Sequence, residues 1–146
     1  MYLTTRSRYG TRLLLDIARH QENGPVPISD ISRRQDVSVK YLEMIVRDLK
    51  QAGYILSRRG ARGGHMLAKE PGSVTVGEIV ELLEGDTFLV PCAQSEEHCA
   101  RAPNCPTRWI WKEMSEAVRE RLYSITFAKL LEKSANQEQD PIDNQG

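Results

Sequence analysis

The stretch RRGARGG, residues 58–64, constrains the fold more than any other part of this sequence. Its arginines stand among glycines, between two short apolar strand candidates at residues 54–56 and 66–68. A tip so rich in glycine and in like charge makes a poor hairpin unless an anion meets it, because the arginines repel one another. The sequence therefore predicts a basic β-hairpin that faces a polyanion. A solvated surface turn is the alternative.

Helical segments precede this hairpin. Apolar residues at helical spacing predict a helix over residues 5–20, with Thr5 as its N-cap, and a short helix over residues 28–35. Ser38 is placed to cap a third helix that runs to about Ala52, and Gly53 is the expected left-handed stop. A helix, a turn, a second helix and a basic hairpin, in this order, form a winged helix-turn-helix. In that arrangement one helix braces another that enters the major groove of DNA.

The charge is distributed unevenly along the chain. The formal net charge is zero, but residues 1–72 hold 13 Lys and Arg against 7 Asp and Glu, and the remainder holds 7 against 13. A basic half beside an acidic half indicates that the first half binds a polyanion.

The third helix divides into an apolar and a polar face. Lys40 and Arg47 are suited to contact phosphates or guanine, and Glu43 can accept a hydrogen bond from cytosine N4. Arginines on a glycine-rich wing can enter a narrow minor groove. The predicted core residues are Ile31, Val37, Leu42, Ile45, Val46 and Leu49. The predicted DNA-contacting residues are Ser38, Lys40, Tyr41, Glu43, Arg47, Arg58, Arg59, Arg62, Gly63, Gly64 and His65.

A capping box, Thr75 with Glu78, and a hydrophobic staple, Val74 with Ile79, predict the start of a further helix. Gly85 ends it, residues 86–104 read as an irregular loop, and a long helix begins near residue 106. That helix carries a narrow apolar seam, which indicates self-association into a dimer. The seam consists of Trp111, Met114, Val118, Leu122 and Ile125. A short turn is expected at residues 126–131, and residues 134–146 read as a disordered polar tail.

The cysteines are clustered. Cys92, Cys99 and Cys105 are the only ones in the chain, and nothing resembles a signal peptide or a membrane span, so we expect a cytoplasmic protein with metal or redox chemistry. Their spacing, C-x6-C-x5-C, lacks the close pair typical of zinc, whereas an iron–sulfur cluster accepts widely spaced thiolates. Zinc held by the three cysteines with His98, or three inert reduced thiols, are the alternatives.

Several separated motifs resemble the Rrf-type family of winged-helix regulators that includes IscR and NsrR. The matching segments are residues 3–9, 38–43, 59–64, 76–79 and 105–108. The resemblance covers about residues 1–131. It implies a homodimer joined through the long helix, a double-stranded DNA site of two half-sites, and a 2Fe–2S or 4Fe–4S cluster on the three cysteines that tunes DNA binding.

Two positions differ from the family pattern. Arg108 stands where IscR-like members place a histidine, and Arg8 stands where NsrR-like members place an acidic residue. The fourth ligand is therefore unassigned, with Glu96, Glu97, His98 and Asn104 as local candidates.

The sequence thus predicts a mainly α fold with a small β-hairpin wing, divided into a DNA-binding domain (1–85), a cysteine loop (86–105), a dimerisation helix with a terminal turn (106–133) and a tail (134–146). The predicted function is a transcription regulator, a repressor more readily than an activator, controlled by a cluster that senses redox state, nitric oxide or cluster supply. A zinc-dependent or metal-independent regulator is the alternative. A thiol redox enzyme is disfavoured, because the chain has neither C-x-x-C nor a nucleotide-binding glycine motif.

Overall fold

The computed structural model describes residues 3–139, in which helices surround a two-stranded antiparallel hairpin. This architecture confirms the predicted fold class, a mainly helical winged helix with a long helix in its C-terminal part. The helices are α1 (Thr5–His20), α2 (Ile28–Gln35), α3 (Val39–Gln51), α4 (Val76–Glu84), α5 (Pro91–Gln94), α6 (Arg108–Tyr123) and α7 (Phe127–Gln139), and the strands are β1 (Ile55–Arg58) and β2 (Gly64–Leu67). None of the helices within residues 3–139 is long and apolar enough to span a membrane.

The main core lies between α1, α2, α3, α4 and the hairpin. α1 is central, because it packs against each of the other three helices and against β2. Of the predicted core residues, Val37 is only partly buried and the others are buried. The core cluster is Leu13, Leu14, Ile17, Val26, Ile31, Leu42, Ile45, Val46, Leu49, Ile55, Val74, Ile79, Leu83 and Phe127.

The helix ends follow the local sequence signals, with one correction. The cap of α1 is Thr4, whose hydroxyl accepts a hydrogen bond from the Arg6 amide at 3.2 Å, and not Thr5. Thr5 is already the first helical residue, and its hydroxyl lies 3.0 Å from the Tyr41 hydroxyl. Ser38 caps α3 as predicted, accepting from the Tyr41 amide at 3.2 Å.

The hairpin is longer toward its tip than predicted. Residues 55–58 pair with residues 64–67, so Arg58 belongs to a strand and the tip comprises residues 59–63. His65 also pairs with Val26, each amide donating to the other carbonyl at 2.9 Å. A Cβ atom on Gly64 would lie 2.4 Å from the Val26 carbonyl carbon, and one on Gly63 would lie 2.2 Å from the Arg58 oxygen. The fold itself therefore requires glycine at both positions, because a side chain at either one would collide with the backbone.

The capping box of α4 is present as predicted. The Thr75 hydroxyl accepts from the Glu78 amide at 3.2 Å, and the Thr75 amide donates to the Glu78 carboxylate at 2.7 Å. Val74 and Ile79, the predicted staple, are both buried in the core cluster. Gly85 ends the helix with a φ of 91°, a conformation that favours glycine.

The C-terminal prediction was wrong over residues 126–139. Instead of a short turn and a disordered tail, Phe127–Gln139 form α7. Phe127 is 1% exposed, and its amide donates to the Val74 carbonyl at 3.0 Å. Leu130 packs on the same core, and the remaining residues are mostly good helix formers, so one apolar edge suffices to hold the helix. Residues 140–146 of the predicted tail lie outside the described residues.

The loop predicted over residues 86–104 is less irregular than expected. It contains α5 and two single 3₁₀ turns, Glu96–His98 and Ala102–Asn104. Ala93 and Ala102 are buried at 2% and 4% exposure, so small side chains anchor this segment.

Candidate functional site

An open groove of about 670 Å³ lies between α3 and the hairpin. It brings together residues that are far apart in sequence, since α3 supplies one wall and the hairpin the other. Predicted DNA-contacting residues on both walls share it: Glu43, Arg47, Arg58, Arg59 and His65. The groove is therefore a cationic cleft with one carboxylate, a composition that suits a phosphate backbone with base edges.

The remaining predicted contacts do not line this groove. Arg62 is exposed at the hairpin tip, and Lys40 is exposed at the start of α3. Tyr41 is half-buried and stacks edge-on against Tyr9, with ring centroids 5.8 Å apart. Tyr41 thus helps α1 to position the start of α3.

Three groove residues were missed at the level of sequence: Lys50, Gln51 and Ser57. Lys50 lies seven residues after Glu43 and three after Arg47, so helical spacing alone places it on the same face of α3. Ser57 is opposite His65 in the strand register, and its hydroxyl lies 2.8 Å from the His65 Nδ1.

The surroundings of the His65 imidazole favour its neutral form. Burial lowers its pKa, the nearby Lys50 ammonium lowers it further, and Glu43 opposes them weakly. A neutral ring can donate one hydrogen bond and accept another, but it adds no charge toward a phosphate. The groove's positive charge therefore comes from its arginines and from Lys50.

The first helix holds the second rigidly through a buried carboxylate. Asp16 is 2% exposed and accepts hydrogen bonds from Arg34 at 2.6 Å and from Gln35 at 2.8 Å. Burial raises the pKa of Asp16, but the bonds from Arg34 and Gln35 outweigh it and lower the pKa below its usual value. An Arg6–Asp48 ion pair joins α1 to α3 as well.

The three cysteines lie on the segment between α4 and α6. All are within residues 3–139 and none forms a disulfide; Cys92 and Cys105 are half-buried and Cys99 is exposed. The Cys105 sulfur lies 3.4 Å from the Thr107 hydroxyl. That hydrogen bond, with help from the Thr107 and Arg108 amides, lowers the pKa of Cys105 and favours the thiolate, the form that binds metals.

The structure does not gather the three thiols at a site for a single ion. Within residues 3–139, no three His, Cys, Asp or Glu side chains converge as they would around one ion. The predicted zinc alternative, three cysteines with His98, is therefore not preassembled in this part of the chain. A multi-iron cluster takes thiolates that stand farther apart, and three free thiols on one loop match that requirement.

The candidates for a fourth ligand differ in their surroundings. Glu96 is bonded to Arg108, with 2.9 Å between the Glu96 Oε1 and the Arg108 Nη1. All four candidates, Glu96, Glu97, His98 and Asn104, are exposed. Arg108 has no lone pair to offer a metal, and it holds Glu96 instead.

The predicted seam of α6 is unevenly covered. Trp111 and Met114 are 41% and 50% exposed, whereas Val118, Leu122 and Ile125 are half-buried. Ile125 lies beyond the end of α6, and its carbonyl accepts from the Val76 amide at 2.8 Å. The predicted seam omitted Trp109, which is 59% exposed. Trp109 and Trp111, two exposed tryptophans near the start of one helix, were a visible signal for a contact surface.

Contacts between α4 and α6 hold the C-terminal half of α6. The Tyr123 hydroxyl donates to Glu81, and Arg119 lies 3.4 Å from the same carboxylate. A Cβ atom on Gly77 would lie 2.3 Å from the Tyr123 ring, so the ring packs directly on the α4 backbone.

The family of the chain follows from comparison with known proteins. Residues 3–133 match the Rrf2 family, described as an iron-dependent transcriptional regulator. The protein rrf2 of Nitratidesulfovibrio vulgaris is 48% identical over 131 residues, which cover 90% of this chain and 87% of that protein. The HTH-type transcriptional regulator IscR of Yersinia enterocolitica is 36% identical over 131 residues, covering 90% of this chain and 79% of that protein.

Solved structures agree in fold. CymR, the global cysteine regulator of B. subtilis, is 32% identical with a TM-score of 0.78, covering 91% of this chain and 98% of CymR. IscR of T. potens is 33% identical with a TM-score of 0.76, covering 100% of this chain and 94% of that IscR. The chain therefore belongs to the Rrf2 family, is IscR-like, and is a helix-turn-helix transcriptional regulator rather than an enzyme.

Proposed function

We propose that the protein is a homodimeric regulator that binds two DNA half-sites, and that an iron–sulfur cluster on Cys92, Cys99 and Cys105 controls its affinity for DNA. Repression is the mode we favour, and activation uses the same architecture. The observation that carries the proposal is the set of three free thiols on one loop. This loop packs on α6 and lies outside the core of the reading head, the part formed by α1 to α4 and the hairpin.

The groove between α3 and the hairpin is the DNA-binding surface in this proposal. Arg47 and Lys50 on α3 would bind phosphates or guanine, while Glu43 would accept from cytosine N4. Arg59 and Arg62 would enter the minor groove beside the site. Ser38, Lys40 and Tyr41 would lie at the N-terminal end of α3, where recognition helices meet base edges and backbone.

The cysteines would supply the cluster ligands, since thiolates are the usual ligands of iron–sulfur clusters. Bound iron and sulfide would provide a centre that oxidants or nitric oxide can alter. The protein's part would be to present three thiols, with hydrogen bonds that lower the pKa of Cys105.

Packing offers a route from the loop to the reading head. The Leu89 amide donates to Ser115 of α6 at 2.9 Å, and Tyr123 of α6 donates to Glu81 of α4. A Cβ atom on Gly10 would lie 2.3 Å from the Leu83 side chain, so α4 packs tightly on α1. Control of DNA affinity requires that the cluster be more stable in one arrangement of the two reading heads than in another.

The exposed part of the α6 seam supports a dimer. Trp111 and Met114 leave apolar surface in solvent, which a lone soluble chain seldom tolerates. Val118→Asp or Leu122→Asp should give monomers or aggregates and abolish binding to a palindromic site, because a single head contacts half of it. Light scattering with a DNA-binding assay would check this, and Lys112→Asp, on the same helix and already exposed, is the matched control. An unaltered dimer in the Val118 variant would move the interface elsewhere.

The deciding experiment is purification without oxygen, followed by iron and sulfide analysis and a visible spectrum. We expect brown protein with bound iron and sulfide, and we expect loss of colour to change DNA affinity. Replacing Cys92, Cys99 or Cys105 by Ala should remove the colour, whereas His98→Ala should have a milder effect. If His98→Ala bleaches the protein as fully as Cys99→Ala, His98 is a ligand.

A metal-independent regulator is the second candidate. It is favoured by the absence of a preassembled ion site within residues 3–139 and by similarity to CymR, whose oxidized form from Staphylococcus aureus has been solved. Colourless protein without iron or sulfide, with a DNA affinity that responds to thiol oxidation, would select this candidate.

A further inference from the structure

Arg108 occupies an unusual position between the cysteine loop and α6. It is the first residue of α6, and its side chain is 19% exposed. The guanidinium Nε donates to the Cys92 carbonyl at 2.7 Å, while Nη1 donates to the Glu96 carboxylate at 2.9 Å. One side chain therefore holds the first cysteine and the segment that leads to the second.

Backbone hydrogen bonds lead from Glu96 back to Arg108. The chain of bonds runs from Glu96 through the second and third cysteines to the Arg108 amide. Its members are Cys99 N to Glu96 O at 3.3 Å, Ala102 N to Cys99 O at 3.0 Å, Cys105 N to Ala102 O at 3.5 Å and Arg108 N to Cys105 O at 3.4 Å. All three cysteines thus lie on one hydrogen-bonded circuit that Arg108 closes.

The bonds of this circuit are unequal. Most of its backbone bonds are long, near the limit at which a hydrogen bond retains strength. The two arginine bonds are shorter, and the bond to Glu96 joins opposite charges, although solvent weakens this ion pair because the Glu96 side chain is 58% exposed. Within residues 3–139, no other side chain from outside the loop donates a hydrogen bond to residues 92–98. Among the described residues, Arg108 therefore supplies the side-chain hydrogen bonds that tie residues 92–98 to α6.

We propose that Arg108 is a positioning residue that clamps the cysteine loop onto α6, so that the rate at which the loop opens, and a bound cluster is lost, depends on this guanidinium. The consequence for the cluster rests on the proposed function, but the clamp is a property of the protein without a cluster. The clamp also engages one oxygen of the Glu96 carboxylate, Oε1.

Amide hydrogen exchange of residues 92–99 in the metal-free protein tests the clamp directly. Arg108→Gln should speed exchange of this segment about fivefold, because losing charge-assisted bonds lets the loop open more often. Arg108→Lys should fall between wild type and Arg108→Gln, because an ammonium cannot reproduce the two-pronged contact. Glu96→Gln, which spares the bond to Cys92, should also give a smaller rise than Arg108→Gln.

Lys112→Gln is the matched control, since it removes a cation one turn along α6 that is exposed. Alkylation of Cys92 relative to Cys99 gives a second readout, with Cys99 as an internal reference because it is already exposed. We expect the Cys92-to-Cys99 ratio to rise in Arg108→Gln and to stay at the wild-type value in Lys112→Gln. Circular dichroism confirms that each variant is folded.

The cluster-loaded protein supplies the final arm. Chelator-driven bleaching of Arg108→Gln should be about fivefold faster than that of wild type or of Lys112→Gln. Unchanged exchange in the Arg108→Gln loop, or an equal change in Lys112→Gln, would overturn the clamp whatever the metal content. If wild type takes up no iron and sulfide, the proposed function fails, and the exchange experiment still decides the clamp.

Discussion

The reading head and the cysteine loop are stabilised in opposite ways. In the reading head, large apolar side chains from α1, α2, α3 and α4 fill a shared core. Between residues 86 and 125, the buried side chains among those described are small or polar: Thr87, Ala93, Ala102 and Ser115. Hydrophobic burial therefore stabilises the reading head, whereas hydrogen bonds to α6 hold the cysteine loop. If the loop senses a signal, as proposed, this difference lets the loop rearrange while the reading head stays folded.

The largest expected effect tests whether α7 belongs to the stable part. Phe127→Ala should lower the free energy of unfolding by about 3–5 kcal/mol, because it empties a fully buried site in the core. Urea denaturation of the metal-free protein measures this. A cost below about 1 kcal/mol would mean that α7 contributes little to the core and does not belong to the stable part of the molecule.

The buried carboxylate of the reading head should make stability depend on pH. Asp16→Asn should cost about 2–4 kcal/mol at pH 7, because Arg34 loses its charged partner. The folded pKa of Asp16 is lowered, so its contribution is fully present above the unfolded value of about 4 and is lost as the pH falls through the folded value. The gap between wild type and Asp16→Asn should therefore close in acid.

Urea denaturation at a series of pH values from 7 to 3 gives the measurement. Asp30→Asn is the matched control, because its ion pair with Arg33 is exposed and should be worth less than about 1 kcal/mol. A gap that is constant with pH would show that the Asp16 carboxylate does not stabilise the fold through its charge.

If the groove between α3 and the hairpin binds DNA, as proposed, the affinity should depend on salt. If a dimer neutralises about six to ten phosphates, log affinity should fall against log salt with a slope of roughly −5 to −9. Arg59→Ala should weaken binding about tenfold and make the slope less steep by about one unit per reading head, and Arg62→Ala should also weaken it. Lys133→Ala, on α7, is the control for loss of a charge elsewhere. Affinity that is indifferent to salt would exclude this binding mode.

The smallest expected effect on stability belongs to the cysteines. Cys99→Ala should change the free energy of unfolding of the metal-free protein by less than about 0.5 kcal/mol, because the side chain is exposed. The same variant should lose the visible chromophore and shift DNA affinity. Paired measurement of denaturation and visible absorption checks both. A variant that unfolds readily would show that the cysteine loop belongs to the structural core, and the contrast between the loop and the reading head would be lost.

Much of the reading head was predictable because its signals are local. Ser38, the Thr75–Glu78 box and Gly85 each act within one turn of their own helix, so sequence spacing alone predicts their geometry. The groove was only partly predictable, because Lys50 shares a helix face with Glu43 while Ser57 and Val26 meet the hairpin through tertiary packing. Gly63 and Gly64 are predicted DNA contacts, and the structure adds that a side chain at either position would collide with the protein's own backbone.

The errors have a common cause. Thr4 and Thr5 are both good caps, and which one caps α1 depends on where the helix starts; Thr5 instead meets Tyr41. α7 was missed because Phe127 finds its partners near Val74, about fifty residues earlier in the chain. Local composition cannot report a partner that distant, and a polar segment with one buried edge resembles a disordered tail.

Periodicity, capping, charge and composition are properties of neighbouring residues, so they suffice to establish the order of helices and hairpin, the basic first half and the presence of three thiols. Tertiary packing is what brings distant residues together: α3 with the hairpin across the groove, Phe127 with the core, and Arg108 with Cys92 and Glu96. These contacts join segments whose spacing in the chain carries no periodic signal, and burial and hydrogen bonding select them only when the whole chain has folded.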